Sequence, residues 1–147
     1  MKAVTVGTFL KQAGYPYEAV TVREDATLQE VLDAMLRHRE QRSVFVVDET
    51  GVLKGVISLG ALARHFMHEG IAPAGGFAPS TDILHYLTAE NAGDIMNADV
   101  AFCTPDEPLE AAAQKMLGHQ VYKMLPVLDE GRRIVAVLSL VALLESL

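Results

Sequence analysis

Two serines, Ser58 and Ser139, stand 81 residues apart, each between an apolar run and a stretch of helix-forming residues. A serine in that place accepts a hydrogen bond from a backbone amide of the next turn and caps the helix. The amides at such a helix start also favour an anion. Arg42 and Lys123, again 81 residues apart, precede the apolar runs Val44–Val47 and Leu125–Leu128 and can add positive charge there. Each also reads as an exposed charge covering an apolar edge. Gly55 lets a ligand approach the backbone closely, whereas Ala136 holds the matching place later in the chain. The first of the two places is therefore the better anion candidate.

The other reactive side chains point to structure. His65 and His68 lie three apart beside Arg64, but further metal ligands at useful spacing are missing, so no metal site is expected. His38 and His119 fall at matching helix ends, where a cation suits the dipole. The one cysteine, Cys103, reads as a small buried apolar residue, and it excludes an internal disulfide. No serine, cysteine or aspartate partners these histidines, and the sequence offers no catalytic constellation.

What must position these residues is an internal repeat. Shifted by 81 positions without a gap, Val22–Arg64 falls on Cys103–Glu145, with thirteen of 43 positions identical. Among them are Asp25/Asp106, Leu28/Leu109, Met35/Met116, Val46/Val127, Ser58/Ser139 and Leu62/Leu143. Composition alone would give roughly three identities. A unit of this size usually buries its apolar face against its copy.

Each repeat reads β-α-β-β-α. In the first, Ala19–Val22 is a β-rich run, and Thr27 with Glu30 forms a capping box. Leu28, Val31, Leu32, Met35 and Leu36 make one helical stripe. Val44–Val47 and Leu53–Ile57 are strands about an Asp48–Gly51 turn, and a last helix runs from Ser58 to about Met67. In the second, Val100–Cys103 is the first strand, Asp106 the expected cap with Pro108 in the first turn, and Leu109, Ala112, Ala113, Met116 and Leu117 the stripe. Leu125–Leu128 and Ile134–Leu138 are strands, and Ser139 opens the last helix. The apolar strands read as buried on both faces. Gly93-Asp94-Ile95-Met96 resembles Gly7-Thr8-Phe9-Leu10, a lead-in to each repeat, and the first lead-in is five residues longer. Between the repeats, Gly70–Pro79 cannot continue a helix, and Ser80–Asp82 can cap a short one over Ile83–Leu87. The expected division is repeat one at 1–69, a linker at 70–92 and repeat two at 93–147.

The chain has 147 residues, half of them hydrophobic, and a net charge of −7. That is enough length for one core without disulfides or metals. Without a basic run or tryptophan it does not read as a nucleic-acid binder. The longest apolar stretch, Ile134–Leu144, is far short of a membrane span, and the N-terminus lacks a signal-peptide pattern. A cytoplasmic protein is expected.

The order of these motifs resembles the CBS domain, named after cystathionine beta-synthase, in tandem. The carrying residues are Asp25–Val31, Met35, Val44–Asp48 and Gly55–Ser58 in repeat one. In repeat two they are Gly93–Met96, Cys103–Ala112, Met116 and Leu125–Asp129. The resemblance implies an α/β fold, two repeats packed about a pseudo-two-fold axis, pairing into a homodimer. It also implies a regulatory role without catalysis, in which an adenosine-type ligand binds in clefts between repeats and biases a partner protein; the expectation here is a stand-alone pair. By this resemblance Ser58, Ser139, Arg42 and Lys123 would face phosphate, Gly55 would admit the ligand, and apolar strand residues, Val22 and Cys103 among them, would sandwich an adenine. The family's ribose-binding aspartate, three residues after the hydroxyl, is replaced by Ala61 and Ala142. Two readings follow: a sensor of an adenine nucleotide held by phosphate and base, or an assembly module without a ligand.

Overall fold

The computed structural model describes residues 4–14, 18–67, 89–118 and 123–146. His68, His119 and the expected helix Ile83–Leu87, with most of the linker, lie outside them. The elements are α1 (Val6–Ala13), β1 (Thr21–Arg23), α2 (Leu28–Arg37), β2 (Ser43–Val47), β3 (Leu53–Ser58), α3 (Leu59–Phe66), α4 (Ala92–Ile95), α5 (Leu109–Met116), β4 (Met124–Leu128), β5 (Ile134–Ser139) and α6 (Leu140–Glu145). The chain folds as two compact units. One comprises Val20–Glu49 with Lys54–Asp99; the other Met1–Ala19, Thr50–Leu53 and Val100–Leu147.

In the unit that holds repeat one, the sheet order is β1-β2-β3, with β1 parallel to β2 and Val22 opposite Val46. The five-residue link from β2 to β3 is too short for a parallel crossover and makes them a hairpin. Val44, Phe45, Val46 and Val47 are all buried, as a continuous apolar run predicts. β3 instead alternates, with Lys54 and Ser58 exposed. The Thr27 hydroxyl caps α2 by accepting from the Glu30 amide at 3.2 Å, and the Glu30 carboxylate accepts back from that hydroxyl. The helix buries Leu28, Val31, Ala34 and Met35, while Leu36 is 48% exposed. The stripe is thus rotated towards Ala34 from its expected position. Val31, Ile57 and Leu62 are at most 1% exposed, each burial contributing about 1.5–3 kcal/mol.

The other unit repeats this with two differences. β4 and β5 pair antiparallel, Val127 opposite Ala136. The expected strand Val100–Cys103 is reduced to a single parallel bridge, Cys103 to Val127. Its cause is Pro126. At the matching place in repeat one, the Phe45 amide donates to the Val20 carbonyl at 2.8 Å. Proline has no amide hydrogen to repeat that bond. Nor does Asp106 cap α5: Pro108 occupies the N-cap without a side-chain bond, and the Leu109 amide donates to the Val4 carbonyl at 2.8 Å.

Each lead-in packs in the unit of the other repeat. The amides of Val6 and Gly7 donate to the carbonyls of Glu107 and Pro105, all at 2.9 Å. The amides of Ala92 and Gly93 donate to those of Ala26 and Glu24, again at 2.9 Å. Val6, Phe9 and Leu10 enter the core of Leu109, Met116 and Leu138, whereas Ala92 and Ile95 enter that of Val31, Met35 and Ile57. A Cβ on Gly7 would lie 3.3 Å from the Pro105 carbonyl oxygen, tighter than most packing and favouring glycine there, whereas one on Gly93 would make an ordinary 3.4 Å contact with that of Glu24.

Candidate functional site

β3 passes into α3 without a loop, and Ser58 is both the last strand residue and the N-cap. Its Oγ accepts from the Ala61 amide at 3.1 Å. The Leu59 amide donates to the Arg42 carbonyl, also at 3.1 Å. Arg42 reaches that position with φ +58°, a left-handed conformation that costs a non-glycine residue about 1–2 kcal/mol. The structure thus brings Arg42 and Ser58 together at one helix start. Both are exposed.

Repeat two builds the same corner. Ser139 Oγ accepts from the Ala142 amide at 3.3 Å, and the Leu140 amide donates to the Lys123 carbonyl at 2.9 Å. Lys123 is exposed, but Ser139 is only 2% exposed. Of the two corners, the first therefore offers the more open hydroxyl. At both, the amides of the first and third helical residues already have acceptors within the protein.

The remaining candidates stand apart from the corners. Val22 lies on β1 opposite Val46, half-buried, and Cys103 occupies the equivalent place opposite Val127, fully buried. Burial pushes the Cys103 thiol up to about 12, with the Glu107 charge adding to the rise and Lys115 opposing it. Gly55 is buried, and a Cβ there would meet Met96 Sδ at 2.8 Å and the Asn97 carbonyl oxygen at 2.9 Å. The Val56 and Asn97 backbones exchange two hydrogen bonds, which hold Met96 and Asn97 against β3. This packing accounts for the glycine. Ala61 and Ala142 belong to the apolar cores, 6% and 9% exposed.

Spacing did not reveal a charged cluster in repeat two. Lys115 Nζ lies 2.5 Å from Glu107 Oε1 and 2.9 Å from the Phe102 carbonyl oxygen. The Phe102 ring has Lys115 Nζ at 5.8 Å and the Arg132 guanidinium at 5.1 Å, within cation–π reach. Glu107 and Lys115 are eight apart, outside the three- and four-residue rule for helical ion pairs. Among the described residues, no group of three His, Cys, Asp or Glu side chains is placed to hold a metal, and no helix is long and apolar enough to cross a membrane.

The fold is thus a tandem α/β repeat, β-α-β-β-α in the first copy and the same with its first strand reduced to one bridge in the second, each copy with a capped strand-to-helix corner. The chain belongs to the CBS domain family, whose model matches residues 17–68 and 92–147. Homoserine O-acetyltransferase of Methanohalobium evestigatum is 29% identical over 127 residues, 79% of this chain and 26% of that protein. Magnesium transporter MgtE of Thermus thermophilus is 29% identical over 134 residues, 88% of this chain and 25% of that protein. The chain thus spans about a quarter of the length of these curated relatives. A CBS domain-containing protein from Thermotoga maritima is similar in structure, with TM-score 0.72 and 26% identity over 100% of this chain and 96% of that one. The cytosolic domain of the Mg2+ channel MgtE in complex with ATP is similar with TM-score 0.64 and 30% identity over 88% of this chain and 45% of that one.

Proposed function

We propose that this chain is a regulatory module that senses an adenine nucleotide at the first repeat's corner and biases a partner protein. The observation that carries this reading is the pairing of exposed Arg42 with exposed Ser58 at the start of α3, the guanidinium-bearing residue held there at φ +58°. A guanidinium beside a helix start suits phosphate. The ATP complex of the 30% identical MgtE domain supports the choice of ligand. With Ala61 and Ala142 in place of the family's aspartates, phosphate and base hold the ligand rather than ribose. The partner is a larger protein or assembly, since the matched relatives carry three-quarters of their length outside the aligned region. A thermal-shift screen with AMP, ADP, ATP, NAD and S-adenosylmethionine tests the reading. A bound nucleotide at 100 times its Kd raises stability by about 2.7 kcal/mol; a flat response to all five rejects it.

A second reading, assembly without a ligand, draws on the exposed apolar residues. Leu36, Leu59, Phe66 and Met67 are 41–61% exposed in one unit, and Leu117, Val141 and Leu144 are 52–59% exposed in the other. We infer that a second copy covers these faces in a homodimer, whichever reading holds. Light scattering at micromolar concentration should give twice the 15.9 kDa chain mass; a monomer contradicts it.

A further inference from the structure

The two repeats treat one equivalent place in opposite ways. In repeat two, the segment leading to the Cys103 bridge is plugged on its outer side: the Phe102 carbonyl accepts from Lys115 Nζ, which pairs with Glu107. The residues 81 positions earlier are Thr21 for Phe102, Ala34 for Lys115 and Ala26 for Glu107. Every plug residue is replaced by a smaller one. A groove of about 500 Å³ lies there, between β1 and α2, and Thr21, Ala26 and Ala34 line it. Ladder bonds to β2 run through Val20 and Glu24, so the Thr21 carbonyl points to the outer edge, as Phe102's does.

The groove's charges say what fits. Asp25, Glu30 and Asp33 line it with Arg23 and Arg37. Asp33 accepts from Gln29 and Glu30 from Thr27, and each carboxylate keeps further acceptor positions. The three acids are not placed to share a metal ion. Three negative and two positive charges leave a net of −1, which a ligand with two ammonium groups and one carboxylate neutralises. We propose that the groove binds a free basic amino acid of lysine's size. Its side-chain ammonium takes the place of Lys115 Nζ, accepted by the Thr21 carbonyl and the α2 carboxylates. Its α-carboxylate meets Arg23 or Arg37. Val22, a candidate adenine contact, also lines the groove, but Arg42 and Ser58 do not, and lysine binding is read in the absence of nucleotide.

The test is a titration of the 15N-labelled chain with free lysine, read by amide shifts. Lysine should shift Thr21, Arg23, Ala34 and Arg37 saturably, at least tenfold more tightly than norleucine, which lacks the side-chain ammonium. Thr21→Phe, which restores the plug's ring at an exposed position, should abolish the shifts. Asp33→Asn, also exposed, should weaken binding at least tenfold while the rest of the spectrum is preserved. No saturable shift with 10 mM lysine overturns the proposal; so does equal binding of norleucine, or unchanged affinity in both variants.

Discussion

Gly51 and Arg132 hold the same turn in the two hairpins, with φ of +90° and +65°. One repeat fills the left-handed position with the residue that takes it freely, the other with an arginine that does not. Around Gly51 the nearest side-chain atom to a built Cβ is 3.9 Å away, so space is not the constraint. Gly51→Arg should therefore cost about 1–2 kcal/mol from backbone strain alone. Arg132→Gly should stay within about 0.5–1 kcal/mol of the parent, because relief of strain offsets chain entropy and the lost Phe102 contact. Urea denaturation measures both, and equal costs would contradict this account.

Gly55 and Gly60 make a second contrasting pair. Gly55→Ala forces a Cβ within 2.9 Å of the Asn97 backbone and should destabilise by about 1–3 kcal/mol. Gly60, on α3, has nothing nearer than 3.8 Å, so Gly60→Ala should stabilise by about 0.5–1 kcal/mol. Thermal melts of the two variants should move in opposite directions.

Much of this fold was legible in the sequence, because capping, apolar periodicity and duplication are local signals. Thr27, Ser58 and Ser139 cap the helices expected of them. The misreadings have long-range causes. The strand at Val100–Cys103 fails because Pro126, more than twenty residues on, lacks a donor. Asp106 is no cap because the Val4 carbonyl serves α5. The corner pairing Arg42 with Ser58 was legible as two residues preceding matched elements, but the positive φ that seats Arg42 was not. The groove beside β1 was invisible, since it is defined by what fills the equivalent place in the other repeat.

The stripe residues Met35 and Met116 are 2% and 0% exposed. Aspartate at either place would bury an unpaired carboxylate and should cost several kcal/mol. Ala61→Asp, also in the core, should be costly as well, so it is a poor way to restore a ribose contact. A Met35→Asp or Met116→Asp variant melting with the parent would refute the packing of that helix.

The Cys103 thiol, raised from 9.0 to about 12, links stability to pH. Between those values the unfolded chain has released its proton and the folded chain keeps it, so stability falls as pH rises. The contribution is whole below about pH 9 and is lost towards pH 12, at up to about 1.4 kcal/mol per unit. From pH 9 to 10, the parent's stability relative to Cys103→Ala should drop by about 1 kcal/mol in urea titrations. A constant difference would show the thiol to be accessible.

Calorimetric titration of AMP and adenosine into the parent and into Arg42→Ala tests the central claim most directly. A phosphate-held nucleotide predicts that AMP binds the parent, that adenosine binding is nearly abolished, and that affinity for AMP falls with added salt. It also predicts that Arg42→Ala loses about 1.5–3 kcal/mol, a tenfold or greater weakening, with the removed charge-assisted hydrogen bond. If AMP does not bind the parent, or binds Arg42→Ala equally well, the nucleotide site at this corner is contradicted.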